Sequence, residues 1–176
     1  MSAAAPPSAV SRLAAFIDRV NVSAGQLAAL LLIALVALVF AQVLARYVFD
    51  AGSVALQELS QWLHASAFLL GLGYALRHDA HVRVDVFAQR CSARTRAVIE
   101  LMGAVLLLLP LCVFIIAMSW DYVATSWAIG EGSRDPGGLP AWYLLKSLLP
   151  VSALLLGLQG VAMALRAVIA LRGDAA

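Results

Sequence analysis

The chain has 176 residues, of which 63% are hydrophobic and 12% charged, with a net charge of +2. A soluble domain keeps roughly a quarter of its residues charged. This composition therefore excludes a water-soluble globular protein and makes the bilayer the solvent. With no basic surface interleaved with aromatics, it also excludes nucleic acid as a partner.

Residues 1–20 come first. The Ala/Pro stretch at 2–8 lacks positive charge, and the apolar run after Arg19 is too long for a signal peptide. A retained helix is expected. Leu13, Phe16, Ile17 and Val20 share one helical face, with Arg12, Asp18 and Arg19 off it. That pattern suits a short interfacial helix, with a frayed tail as the alternative.

Residues 21–172 read as one membrane domain. Apolar blocks at 22–45, 56–76, 97–127 and 141–171 each reach the ~20 residues that span the hydrocarbon core. Backbone groups in lipid must bond internally, so the blocks are expected to be helices. The fold class is an all-α integral membrane protein with four transmembrane helices. The spans and joints leave no room for a separate soluble domain.

The first joint, 46–55, carries Arg46, Tyr47 and Phe49, which suit the membrane interface. The second block opens with polar groups: Gln57, Glu58, Gln61 and His64. The third is longer than a bilayer requires and holds Pro110 near its middle, where a missing N–H loosens the helix. Trp120, Tyr122 and Trp127 mark its outer end. The joint 130–140 is a turn-rich loop, and Pro140 suits a helix start. Pro150 should bend the fourth helix.

Charge orients the bundle. Arg12, Arg19, Arg77, Arg83, Arg90, Arg94, Arg96, Arg166 and Arg172 fall on one side, and Arg46, Arg134 and Lys146 on the other. The positive-inside rule places both termini and the 77–96 joint in the cytoplasm.

Intramembrane ionisable groups carry a functional hypothesis by default. Glu58 lies only two residues into its span. A pairing with a basic group of a neighbouring helix fits that depth better than proton coupling. Gln57, Gln61 and His64, at i, i+4 and i+7, form one polar stripe, with His64 about 12 Å below Leu56. A polar stripe in lipid must face protein or water. Burial inside the bundle and cover by a partner subunit both satisfy it.

His78, Asp79, His81 and Asp85 superficially offer metal ligands, but Arg77 and Arg83 supply competing partners. A salt-bridged turn is the better reading, and no metal or cofactor is expected. Cys91 and Cys112 lack redox or disulfide spacing. No hydrolase, zinc-protease or nucleotide-binding signature occurs. Gly71, Gly73, Gly157 and Gly160 read as close-packing positions, and no internal repeat of the transporter-core kind is visible.

Together the joints resemble a known family. Arg46-Tyr47-Val48-Phe49, Gln57-Glu58-Leu59 with Trp62, Gly71 and Ala75, and His81-Val82-Arg83-Val84-Asp85 are similar to the DctQ-like small membrane subunit of tripartite ATP-independent periplasmic (TRAP) transporters. So are Gly137-Gly138-Leu139-Pro140 with Trp142, Pro150 and Leu158-Gln159-Gly160. The resemblance covers about 46–166. Residues 78–85 and 127–133 are similar to the branch labelled for mannitol, chloroaromatic compounds or 2-oxo acids, a label that names no single solute.

The resemblance implies a scaffold in the bacterial inner membrane. It would support a large (DctM-like) membrane subunit. That subunit takes up a solute, usually a carboxylate, on an ion gradient, after a periplasmic binding protein delivers it. Since the chain stops soon after Arg172, the large subunit would be a separate chain. The family-like positions Arg46, Glu58, Trp62, His81 and Asp85, with Gln61, His64 and Arg83 beside them, would serve subunit contact, helix positioning or lipid contact, and none would be catalytic. Two other classes compete: a small homodimeric exporter using Glu58, and a membrane enzyme using His64 or His81 as base. The edge position of Glu58 and the missing nucleophile or metal set weigh against them.

Overall fold

The computed structural model describes residues 9–78 and 92–173. Among them every regular element is helical. Helix α1 spans Ala9–Phe49, α2 spans Val54–Arg77, α3 spans Ala93–Ala128 and α4 spans Trp142–Gly173. The block ends expected from sequence therefore fall within a few residues of the helix ends, except at the start of α1.

There the expectation of a separate interfacial helix is not met. Residues 9–20 are the first turns of α1 and run into the apolar block without a break. Their expected apolar face is also split. Ile17 is buried with Ala14 against Ala162, Leu158 and Val161, whereas Leu13 and Phe16 are exposed. The tight fit of small side chains against α4 decides which face turns inward.

Helix ends follow local chemistry. Asp50, at φ 49°, ends α1, and Ala51 N–H closes the turn onto Ala45 O at 3.1 Å. Ser53 caps α2 by accepting from Leu56 N–H, and Ser92 caps α3 by accepting from Thr95 N–H at 3.2 Å. Helix α4 starts at Trp142, two residues after Pro140, because Ala141 adopts φ 69°.

Pro110 acts through the turn before it. Gly103–Leu108 is wound as a π-helix, and Leu109 N–H reaches back to Ala104 O. Pro110 has no N–H to continue the i to i−4 ladder, and widening the preceding turn relieves its ring from the carbonyl below. The helix then continues to Ala128.

Helix α4 is the centre of the bundle. It packs against α1, α2 and α3, while α1 and α2 also form an antiparallel pair. Apart from Leu156, its buried residues are small or polar: Ser152, Ala153, Gly157, Gln159, Gly160, Ala162 and Ala167. Small residues let helix backbones approach closely where lipid supplies no hydrophobic drive between helices. A Cβ on Gly160 would lie 2.8 Å from Leu108 Cδ2, and one on Gly157 would lie 3.4 Å from Cys112 Cβ. A Cβ on Gly73 would overlap Asn21 Oδ1, whereas Gly71 makes only ordinary contact with Ala28.

Outside that centre much of the surface is apolar. Leu30, Ile33, Val36 and Phe40 of α1 and Leu107, Val113 and Phe114 of α3 are all exposed. Soluble monomers rarely expose contiguous apolar patches beyond a few hundred Å². Helices α1, α3 and α4 are each long and apolar enough to cross a membrane. Helix α2 has 24 residues, about 36 Å at 1.5 Å per residue, but its opening turns are polar.

The glycines make a graded prediction. Gly73→Ala should lower stability by about 1–3 kcal/mol, because the new methyl displaces a buried amide. Gly160→Ala should cost less, because Leu108 can rotate its far end away. Thermal unfolding in one detergent compares them. An Asn21→Ala change should recover part of the Gly73→Ala loss, and strict additivity of the two would refute the clash.

Candidate functional site

Three polar groupings stand out in this apolar bundle, and two of them are bonded mainly to other described residues of the chain. The first lies where α1 begins and α2 and α4 end. Asn21 and Gln159 are fully buried, and Asn21 Nδ2 donates to Gln159 Oε1 at 2.9 Å and to Ile17 O at 3.3 Å. Gln159 Nε2 donates to Asp18 Oδ1 at 3.0 Å. Arg166 donates to both oxygens of Asp18 at 3.2 and 3.0 Å, and Arg77 Nε lies 3.5 Å from the same carboxylate. One acid thus gathers a cation from α2 and another from α4. Asn21 Oδ1 is left without a hydrogen bond and rests against Gly73.

The second grouping lies at the other end, beneath the loop 129–141. Glu58 is only 5% exposed. One of its oxygens accepts from the Ser133 hydroxyl and the other from Leu139 N–H at 2.6 Å. The loop folds over it through Ser133 N–H to Leu139 O at 2.9 Å and Gly138 N–H to Asp135 O at 3.0 Å. Gly138 has no substitute here, since a Cβ would fall 2.7 Å from Glu58 Oε1 and closer still to Ser133. Beside it Trp62 meets Trp142 edge to face, at 6.1 Å between centroids.

The expectation that Glu58 pairs with a basic group is thereby corrected. Its partners are a hydroxyl and a backbone amide of the loop, which can wrap around a carboxylate in the first turns of α2. A basic group of this region, Lys146, serves Glu131 instead. Glu131 also accepts from the Ser126 hydroxyl at 2.6 Å, and Lys146 sits 4.0 Å above the Tyr122 ring. The Lys146 and Ser126 hydrogen bonds hold the Glu131 carboxyl below the usual carboxylate range. Trp127 Nε1 donates to Ser147 Oγ at 2.9 Å, tying α3 to α4 once more.

The third grouping is the α2 stripe. Gln57, Gln61 and His64 are all exposed, and their side chains make no hydrogen bond to a described residue. Ser60, on one flank, receives Gln42 Nε2 of α1 at 2.6 Å, and Trp62, on the other, meets α4. The stripe occupies the arc between those two contacts that faces away from the bundle. Arg46 is exposed at the end of α1 and likewise has no partner among the described residues. His81, Arg83 and Asp85 lie outside the described residues, as does Cys91.

Asp18, Asn21 and Gln42 escaped the sequence reading as site residues. Asp18 and Asn21, at i and i+3, were the available signal, with Gln159 and Arg166 at i and i+7 on α4. Among the described residues no cluster of three His, Cys, Asp or Glu is placed to hold a metal.

Comparison with known proteins names the family. The model described as "Tripartite ATP-independent periplasmic transporters, DctQ component" matches residues 35–170. The match covers well over half of the chain, which therefore belongs to the DctQ family of transporter components. A search of curated proteins finds no match.

Two outcomes follow for the loop. Glu58→Leu strands a buried amide and a hydroxyl, so Leu139 N–H should exchange about 10- to 100-fold faster with deuterium. Glu58→Gln keeps an acceptor for that amide and should change exchange far less; equal effects would refute the stapling role. The Glu131 hold should be complete at neutral pH and fail only in acid. A lowered carboxyl pKa contributes stability above the ordinary carboxylate range, and that stability is lost as pH falls through the folded value. Hydrogen exchange of Trp142 N–H, which donates to Glu131 O at 2.8 Å, reports this loss.

Proposed function

We propose that this chain is the small permease subunit that scaffolds the large membrane subunit of a TRAP-type secondary transporter. The large subunit takes up a solute, a carboxylate, on an ion gradient, and a periplasmic binding protein delivers it. The observation that carries the proposal is the family match over residues 35–170, in a bundle pinned at both ends by internal polar groupings.

In this reading α2 is the fourth span. The positive-inside rule puts both termini in the cytoplasm of an inner-membrane protein, and the loop 129–141 faces the periplasm. The chain performs no catalysis and supplies a wall that does not move. A partner that carries solute across the membrane as a rigid body needs such a wall, and bound solute needs no site here. Support comes from how the polar groups are used. Asp18, Glu58 and Glu131 are each engaged by the chain's own loops and helices. Arg46, Glu58, Trp62, His81, Arg83 and Asp85 are then positioning or contact residues.

Co-purification from the native membrane tests this. The chain should bring a large multi-span subunit near one-to-one, and its deletion should abolish uptake. Glu58→Gln should lower the yield of the complex and leave solute preference unchanged. Recovery of the chain only with itself, or uptake that survives its deletion, would overturn the proposal.

A further inference from the structure

The two alternatives for the polar stripe are separated by its exposure. Burial within the bundle is excluded, because Gln57, Gln61 and His64 are all exposed, with Gln57 at the rim of the cleft between α1 and α2 and Gln61 and His64 beyond it. Water at the interface cannot serve all three. His64 lies ten residues into α2, about 15 Å along the helix from Val54, and neither Gln nor His has the long flexible stem that lets Lys or Arg snorkel. Lipid offers no hydrogen bond at that depth.

The other exposed faces set the contrast. Those of α1 and α3 carry mostly Leu, Ile, Val and Phe, which need nothing from a neighbour but packing, and Gln26 is a lone exposed amide on α1. Only α2 presents a row of amide and imidazole groups, spaced at one helix face and continued by Phe68, which is 64% exposed. An amide both donates and accepts, so the row matches a helix bearing hydrogen-bonding side chains along one face.

We infer that the Gln57–Gln61–His64 face of α2 is the surface on which this chain holds the large membrane subunit, through a transmembrane helix of that subunit that presents polar side chains. The inference rests on the proposed scaffold role, and it commits the contact to α2 rather than to the apolar faces of α1 or α3. Phe68 extends the same face and packs on the partner one turn further along. The contact is made of hydrogen bonds specified in register, so it orients the partner as well as retaining it.

A photo-crosslinking phenylalanine analogue tests the face without disturbing the polar groups. It replaces Phe68 on the stripe, Phe40 on α1 or Phe114 on α3, all exposed. The chain is expressed with its native partners, and adducts are identified after irradiation in the membrane. Position 68 should yield an adduct with the large subunit in clear excess over positions 40 and 114. An adduct at 40 or 114 but not at 68 overturns the inference, and so does an adduct at 68 with a second copy of this chain.

A second variant reads the polar groups directly. Gln61→Leu with His64→Leu removes two interhelical hydrogen bonds and should cut retention of the large subunit about tenfold. The amount of chain in the membrane should not change, since these side chains support nothing inside it. Unchanged retention overturns the inference. If the unmodified chain retains no large subunit at all, the scaffold role itself fails, which is a different result from retention through another face.

Discussion

Hydrocarbon accepts no hydrogen bonds, and the organisation of this chain depends on that constraint. A polar group carried into the bilayer must be met by protein, or it costs several kcal/mol. The chain meets the demand at two levels. At one end Asp18 collects Gln159, Arg77 and Arg166 around itself, and at the other Glu58 is wrapped by its own loop. Between these levels the contacts are small and apolar, so the helices are held at their ends and packed closely in the middle. The stripe on α2 is a whole row of such groups left open on one face, and in the proposed reading it carries the interface.

Helix α4 makes this arrangement possible. It contributes Gln159 and Arg166 to one level, Trp142 and Lys146 to the other, and small residues to the packing between. Because α1, α2 and α3 all pack on it, a change in any one is transmitted through a helix fixed at both levels. Such a body should resist internal rearrangement, as the proposed scaffold role requires. The loop 129–141 shares the property, for its turns at Gly130 and Gly137, both at positive φ, close over buried anchors.

Much of this was legible in the sequence. Block length and hydrophobicity located the helices, because spanning length is a property of a contiguous segment. A loosened helix at Pro110 was expected from its missing N–H, though the π-turn that takes it up was not. What stayed hidden was long-range partnership. Glu58 gave no sign that Ser133 and Leu139, some 80 residues on, would meet it instead of a base. Asp18 read only as a charge off the apolar face of the first helix and Asn21 carried no signal by itself, because Gln159 and Arg166 are remote in sequence. Of the stripe, the spacing was readable, but only the packing of Ser60 and Trp62 on its flanks shows that it faces outward.

The central claim is that the chain stays still while its partner works. The direct measurement is a spin-label distance across the bundle in the assembled transporter, with and without solute and ion gradient. Labels at Ile33→Cys on α1 and Leu107→Cys on α3, both exposed, report on helices that both pack on α4. Replacing Cys91 and Cys112 by Ser removes the native thiols. The account predicts one distance distribution, unchanged across all conditions. A second distance that appears with solute would show that the bundle itself moves, and would contradict it.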